Sequence, residues 1–313
     1  MRPIKTITLN PAFDLHFGME HFEARKENYV QSITRDASGK GINTSRALTV
    51  NGVKNTAYVI LGEENGSEFA AQLTRDGLTF VPLYAEGRIR ENITLHPRED
   101  RETRISLDTF SLAESTLDEM EELLLSSVTA EDLVSFSGRL PRGITKEKAI
   151  AFLRRLIKTG ARVIVDSNSF TPDDLAQIVP WFIKPNEQEI VAYIGRPIRD
   201  VRDAADVAQE LVLRGIAEEV MISLGGDGAA WSNGKKRLVL GVPKLENPVS
   251  TIGAGDSTLA GLLAATAQGG DHAEALRTAV AYGTAACLTE GTLPPRPEDV
   301  RSVFEQVTVT ELL

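Results

Sequence analysis

At 313 residues, with 42% hydrophobic and 25% charged residues, the chain has an ordinary globular composition, too apolar for a disordered protein. Its formal net charge of -10 repels nucleic-acid backbones and anionic membrane surfaces, so neither is expected as a partner, although local cations and backbone N–H groups still hold a phosphate. One cysteine, Cys287, rules out an intrachain disulfide and a Cys-based zinc site, and no run approaches a signal peptide or membrane span, so a cytoplasmic protein is expected.

Ile4 to Leu9 and Thr56 to Leu61 read as core strands. Leu15 to Ile33 and Gly87 to Asp108 alternate apolar and charged residues, as strands with one covered face do. These two excursions, about 11–36 and 87–110, are predicted to pair as a small β-lid inserted into a single domain over 1–313. From about Val128, β-branched runs at Leu133–Phe136, Val163–Asp166, Phe182–Lys184 and Val220–Ser223 alternate with helical patterns over Thr145–Thr159, Ala204–Arg214 and Asp256–Gln268. That alternation predicts an α/β fold whose mostly parallel central sheet carries helices on both faces. Cys287, beside Ala285, Ala286 and Leu288, reads as a small core residue.

Four runs carry chemistry. In Ser38-Gly39-Lys40-Gly41-Ile42-Asn43, which leads into a helical run over Thr44–Val50, Lys40 is a cation between glycines. Asn43 offers donor and acceptor to a sugar hydroxyl. Gly41 after the Gly-Lys pair excludes a Walker A loop. Lys184-Pro185-Asn186-Glu187-Gln188-Glu189 follows a strand, where open α/β sheets bind ligands. There Asn186 and Glu189 present oxygens one turn apart, suited to a hydrated Mg²⁺ or, equally, to a helix capping box. Ser223-Leu224-Gly225-Gly226-Asp227-Gly228 lets the backbone approach a nucleotide phosphate or make a hairpin turn, and Trp231 excludes a dinucleotide fingerprint. Gly253-Ala254-Gly255-Asp256-Ser257 opens a helix whose first N–H groups favour an anion. Asp256 reads there as a proton acceptor or as an N-cap, and spacing alone favours the cap.

Together with Thr8-Leu9-Asn10-Pro11-Ala12-Phe13-Asp14, these runs resemble the ribokinase-like PfkB family of carbohydrate kinases, in the family's order over almost the whole chain. The opening run with Asp14 resembles the branch containing 1-phosphofructokinase and tagatose-6-phosphate kinase. The resemblance implies a ribokinase-like fold and a dimer contact through the lid. It implies Asp256 as catalytic base, with Gly253, Ala254 and Gly255 as anion hole. Asp14, Gly39, Lys40 and Asn43, with Ser137 and Gly138, would hold the sugar, and the lid residue Arg90 would grip a phosphate already on it. Lys184, Asn186, Ser223, Gly226, Gly228 and Gly283 would serve ATP, and Asn186 and Glu189 its Mg²⁺.

Three departures from the pattern lie around the sugar. Arg139 follows Ser137-Gly138 where Ser is usual; Arg104-Ile105-Ser106-Leu107-Asp108 replaces an Asn-Glu-Pro-Gly stretch; Ser167-Asn168-Ser169 replaces a Ser-Gly ending. Arg139 and Arg104 read either as extra phosphate ligands or as surface arginines. The expected reaction phosphorylates a phosphorylated ketohexose, with fructose 1-phosphate giving fructose 1,6-bisphosphate as the leading case. The alternatives are a tagatose-6-phosphate kinase, another PfkB sugar kinase, or a non-catalytic sugar-phosphate sensor.

Overall fold

The computed structural model describes residues 1–98 and 102–312. Ten strands form one sheet in the order Thr308–Leu312 (β14), Arg237–Gly241 (β13), Ala229–Ser232 (β12), Glu219–Ser223 (β11), Phe182–Ile183 (β10), Arg162–Asp166 (β9), Leu133–Ser137 (β8), Ile4–Thr8 (β1), Thr56–Gly62 (β4) and Phe80–Ala85 (β5). Every pairing from β5 to β11 is parallel, and β12 to β14 extend the sheet antiparallel. All five residues of β8 are buried, Ser135 and Ser137 included, because helices cover both faces of a parallel sheet.

One face packs on Glu114–Leu125 (α3), Lys146–Lys158 (α4), Pro172–Ile178 (α5), Glu187–Ile194 (α6) and Val201–Leu213 (α7) through Leu117, Phe152, Leu175, Ile190 and Leu211. The other packs on Lys40–Val50 (α1), Ala254–Gln268 (α8), His272–Ala286 (α9) and Pro297–Phe304 (α10) through Leu48, Leu259, Leu276 and Val300. Gly66–Arg75 (α2) joins a third cluster through Phe69 and Leu73. Cys287 ends α9 half-buried, its Sγ 3.5 Å from the Gly283 carbonyl, and not in the core as its neighbours imply. Among the described residues no helix is long and apolar enough to cross a membrane.

The N-terminal excursions build a second sheet of four strands, Ser32–Ser38 (β3), Ala12–Met19 (β2), Arg90–Pro97 (β6) and Thr103–Ser106 (β7), in that order. Residues 99–101 of the second excursion lie outside the described residues. In the large sheet the chain steps from β1 to β4 and β5 on one side, then returns to β8, β9, β10 and β11 on the other. The reversal leaves a crevice at the carboxyl ends of β1 and β8, where such sheets take their ligands.

Candidate active site

The crevice is built first by close backbone approach. A Cβ on Gly39, whose φ is +151°, would stand 2.8 Å from Thr8 Cγ2, and one on Gly41 would stand 2.5 Å from Thr8 Oγ1. Only glycines let the start of α1 press against the end of β1. The helix therefore begins at Lys40, four residues ahead of the predicted run, and carries Lys40 and Asn43 into the crevice.

Asn43 is oriented from behind. Its Oδ1 accepts from Arg46 Nη1 and Ser38 Oγ, both at 3.3 Å, which turns its amide NH₂ toward Asp256 Oδ2 at 2.9 Å. Thr44 Oγ1 donates to the Asp256 carbonyl at 3.2 Å. The helix-cap reading of Asp256 does not hold: Gly253, with φ +78°, takes the cap position of α8, and Asp256 is its third helical residue. Asp256 is 7% exposed, and burial pushes its carboxyl from an ordinary 3.8 to about 6; the Lys40 cation opposes the rise and the Asp166 carboxylate adds to it.

Lys40 Nζ pairs with Asp166 Oδ2 at 3.3 Å. Asp166 foremost, with Asp256 and Glu189, holds the ammonium above its usual range against the opposing effect of burial. Burial works to raise Asp166 in turn, but the Lys40 and Lys184 cations prevail and leave it lowered. Lys184 is buried at the end of β10, and a Cβ on Gly255 would lie 3.2 Å from its Nζ. Gly255 thus leaves room for a second ammonium at the start of α8, so cations, helix dipole and N–H groups converge on one anion-favouring space.

The two glycine- and lysine-led runs adjoin, since Asn186 and Ser223 form a parallel bridge and Ser223 N donates to the Pro185 carbonyl at 3.2 Å. Asn186 and Glu189 form the capping box: Glu189 N donates to Asn186 Oδ1 at 2.9 Å and Asn186 N to Glu189 Oε2 at 3.0 Å. Among the described residues no group of three or more His, Cys, Asp or Glu is placed to hold a metal ion. Asn186 and Glu189 are engaged with each other's backbone N–H groups at the start of α6. The hairpin reading of Ser223–Gly228 is realised between β11 and β12, with a short helical turn over Gly225–Asp227. A Cβ on Gly228 would stand 2.4 Å from the Leu240 carbonyl, whereas one on Gly226 would meet nothing within 4 Å. Gly228 serves the turn and Gly226 leaves the tip open. Gly283 lies against α8, where a Cβ would stand 2.1 Å from Thr258 Oγ1.

On the small-sheet side, Asp14 is buried and its Oδ1 accepts from Asn92 Nδ2 at 2.7 Å. Arg104 Nη2 stands 3.6 Å from the same oxygen. Arg90 Nε donates to Asn10 Oδ1 and its Nη1 to Asn92 Oδ1, both at 2.9 Å. Burial lowers the Arg90 pKa, and the Arg139 and Arg104 cations add to that. Ser137 is buried with its Oγ 2.8 Å from Ser135 Oγ, and Gly138, at φ +99°, donates its N–H to the Asp166 carbonyl at 3.0 Å. Arg139 is half-exposed. Sequence reading passed over Asp166, Asn10 and Asn92 as site residues, although an acid closing a core strand was the available signal for Asp166.

A model of the "pfkB family carbohydrate kinase" matches residues 8–299. A 1-phosphofructokinase of Haemophilus influenzae is 31% identical over 281 residues, 90% of each chain. The solved phosphofructokinase-2 of Escherichia coli in complex with substrates and products aligns with a TM-score of 0.89 at 27% identity, covering 98% of this chain and 99% of that one. A tetrameric inhibited form of the same enzyme aligns at 0.88 with 26% identity and the same coverage. The chain belongs to the pfkB family of carbohydrate kinases, and it is a sugar kinase, a phosphotransferase with an alcohol group as acceptor.

Proposed function

We propose that the protein transfers the γ-phosphoryl group of ATP to a hydroxyl of a phosphorylated ketohexose, with fructose 1-phosphate giving fructose 1,6-bisphosphate. The observation that carries the reading is the buried Asp256 carboxylate, aimed by Asn43 and flanked by Lys40 at the first turn of α8. The acceptor oxygen attacks the γ-phosphorus; its bond to phosphorus forms as the bond to the β–γ bridging oxygen breaks, its proton passes to Asp256, and ADP leaves. The N–H groups of Gly253, Ala254 and Gly255, with Lys184, stabilise the migrating group. Asn186, Ser223, Gly226 and Gly228 hold the nucleotide. Mg²⁺ carried by ATP supplies charge neutralisation of its phosphates beside Asn186 and Glu189.

Asp14, Gly39, Lys40, Asn43, Ser137 and Gly138 hold the sugar, and Arg90 meets its phosphate. What supports a phosphorylated acceptor is Arg90 at the crevice edge with Arg104 and Arg139 near it. The name of the Haemophilus influenzae relative favours the 1-phosphate. A panel of sugars and sugar phosphates assayed for ADP release tests the reading. Fructose 1-phosphate should give the highest kcat/KM, and turnover confined to unphosphorylated sugars would refute it.

The four-stranded sheet acts as a lid that excludes competing water and joins two protomers of a cytoplasmic homodimer. Register supports this. Asp14, Asn92 and Arg104 share the face toward the crevice, while Leu15, Phe17, Ile33, Ile93 and Ile105 share the opposite one. Ile33 is 63% exposed and Ile105 45%, an apolar face that a second copy would cover.

A further inference from the structure

The three stretches in which the sequence departs from the resemblance are far apart in the chain, yet they meet at the ends of β7, β8 and β9. Asp108, Arg139, Arg142, Asn168 and Ser169 line one opening of about 470 Å³ beside the crevice. Asp108 Oδ2 accepts from Arg142 Nε at 3.3 Å and stands 3.6 Å from Arg139 Nη2. One carboxylate therefore answers two guanidiniums. Arg90 and Arg104 stand close by, with Asp14 as the other carboxylate, so the neighbourhood keeps an excess of positive charge among the described residues.

The backbone of this opening is braced while its charged heads are not. Leu140 N donates to Ser169 Oγ at 3.0 Å, Leu112 N donates to the Arg142 carbonyl at 2.8 Å, and Asn10 joins Arg90 to the Leu140 carbonyl at 2.9 and 3.5 Å. A Cβ on Gly143 would stand 2.1 Å from the Leu112 carbonyl, so the loop is clamped where it passes Leu112. The Arg139 and Arg142 side chains are 53% and 64% exposed and Asp108 35%, and their contacts are long for charge-assisted bonds.

We propose that this opening is a second anion site, which takes a phosphomonoester dianion in place of the Asp108 carboxylate. A dianion with three acceptor oxygens satisfies two guanidinium forks better than one shared carboxylate oxygen does. Asp108 is then a built-in competitor that tunes affinity. The dianion has two sources: the acceptor's own phosphate, reaching past Arg90, or the phosphate of a separate molecule. Only the first source rests on the phosphosugar reading.

The test is calorimetric binding of inorganic phosphate to the wild type, Asp108→Asn and Arg142→Ala, with urea midpoints to establish folding. Removing the competitor should tighten phosphate roughly fivefold and removing Arg142 should weaken it by a similar factor, the size of one partly exposed charge pair. Steady-state kinetics then separate the sources, and either result supports the site. If Asp108→Asn lowers the KM for fructose 1-phosphate and phosphate competes with the sugar, the acceptor's own group sits there. If that KM is unchanged and phosphate still binds the sugar-saturated enzyme, a separate molecule does. Equal phosphate affinity in the three folded proteins overturns the proposal. A wild type that turns over no phosphosugar defeats the substrate reading alone, because the phosphate affinities remain measurable.

Discussion

Asp256 pairs a chemical use with a folding cost. A carboxyl whose folded value lies above its unfolded value favours the protonated state, so its favourable share is full at low pH and is lost as pH rises through about 6. The rise from 3.8 to about 6 corresponds to roughly 3 kcal/mol against the fold once the group is ionised. Asp256→Asn should therefore raise the urea-unfolding free energy by roughly 2 kcal/mol at pH 8 and by little at pH 4, while turnover falls about 10² to 10⁴-fold. Turnover within tenfold of wild type would remove Asp256 as the base. The same carboxyl predicts an acid limb in kcat/KM near pH 6. Its neighbours push that limb in opposite directions: Lys40→Ala should move it to higher pH, since a stabilising cation is lost, and Asp166→Asn to lower pH, since a repelling carboxylate is lost. A limb that stays fixed in both variants belongs to some other group.

At the scale of elements, close helix packing separates two uses of glycine. Gly283 stands where α9 meets α8, with Thr258 Oγ1 and the Ala254 carbonyl 2.1 and 3.1 Å from a Cβ placed on it; Gly261 on α8 is closed in the same way by the Thr278 carbonyl at 2.6 Å. Gly283→Ala should cost about 1–3 kcal/mol in urea unfolding by overpacking, and adding Thr258→Ala should recover part of it. If Gly283→Ala instead leaves stability unchanged and raises only the KM for ATP, the nucleotide role is the right one. Elements of this kind also mark how far sequence carries. The parallel strands were legible because burial on both faces writes a near-continuous apolar run, as in Val163–Val165 of β9. Strand β14 was not, since its Thr308–Leu312 run is largely exposed at the sheet edge. The first turn of α1 was hidden because glycines argue against helix locally, and only the contact with Thr8 requires them. In the site, each run was legible singly. The pairing of Lys40 with Asp166, 126 residues apart, has no spacing signature, and the spacing of Asn186 and Glu189 fits a metal contact and a capping box equally, of which the hydrogen bonds show the capping box.

For the whole molecule the question is what covers the outer face of the four-stranded sheet. Its inner end is already closed: Phe13 packs edge-on against Phe69 with centroids 5.0 Å apart, and the Arg35 guanidinium lies 3.6 Å over the Phe13 ring. Farther out the same face leaves Ile33 and Ile105 open, with Tyr29 beside β3 at 74% exposure. Ile33 and Ile105 have 63% and 45% of their surface left to bury, so at roughly 2 kcal/mol for a whole isoleucine the pairs from two protomers contribute about 4 kcal/mol. Association itself costs about 4–15 kcal/mol. These four side chains therefore supply a large share of what the contact needs, and replacing them with charges opposes it. Ile33→Asp combined with Ile105→Asp should therefore convert a sedimenting dimer to monomer at micromolar concentration. The opposite face of the same strands carries Asp14, Asn92 and Arg104, so losing the partner should also raise the KM for the sugar phosphate while leaving that for ATP nearly unchanged. A variant that remains dimeric, or a wild type that sediments as a monomer, places the protomer contact elsewhere and leaves this sheet acting on the sugar from within one chain.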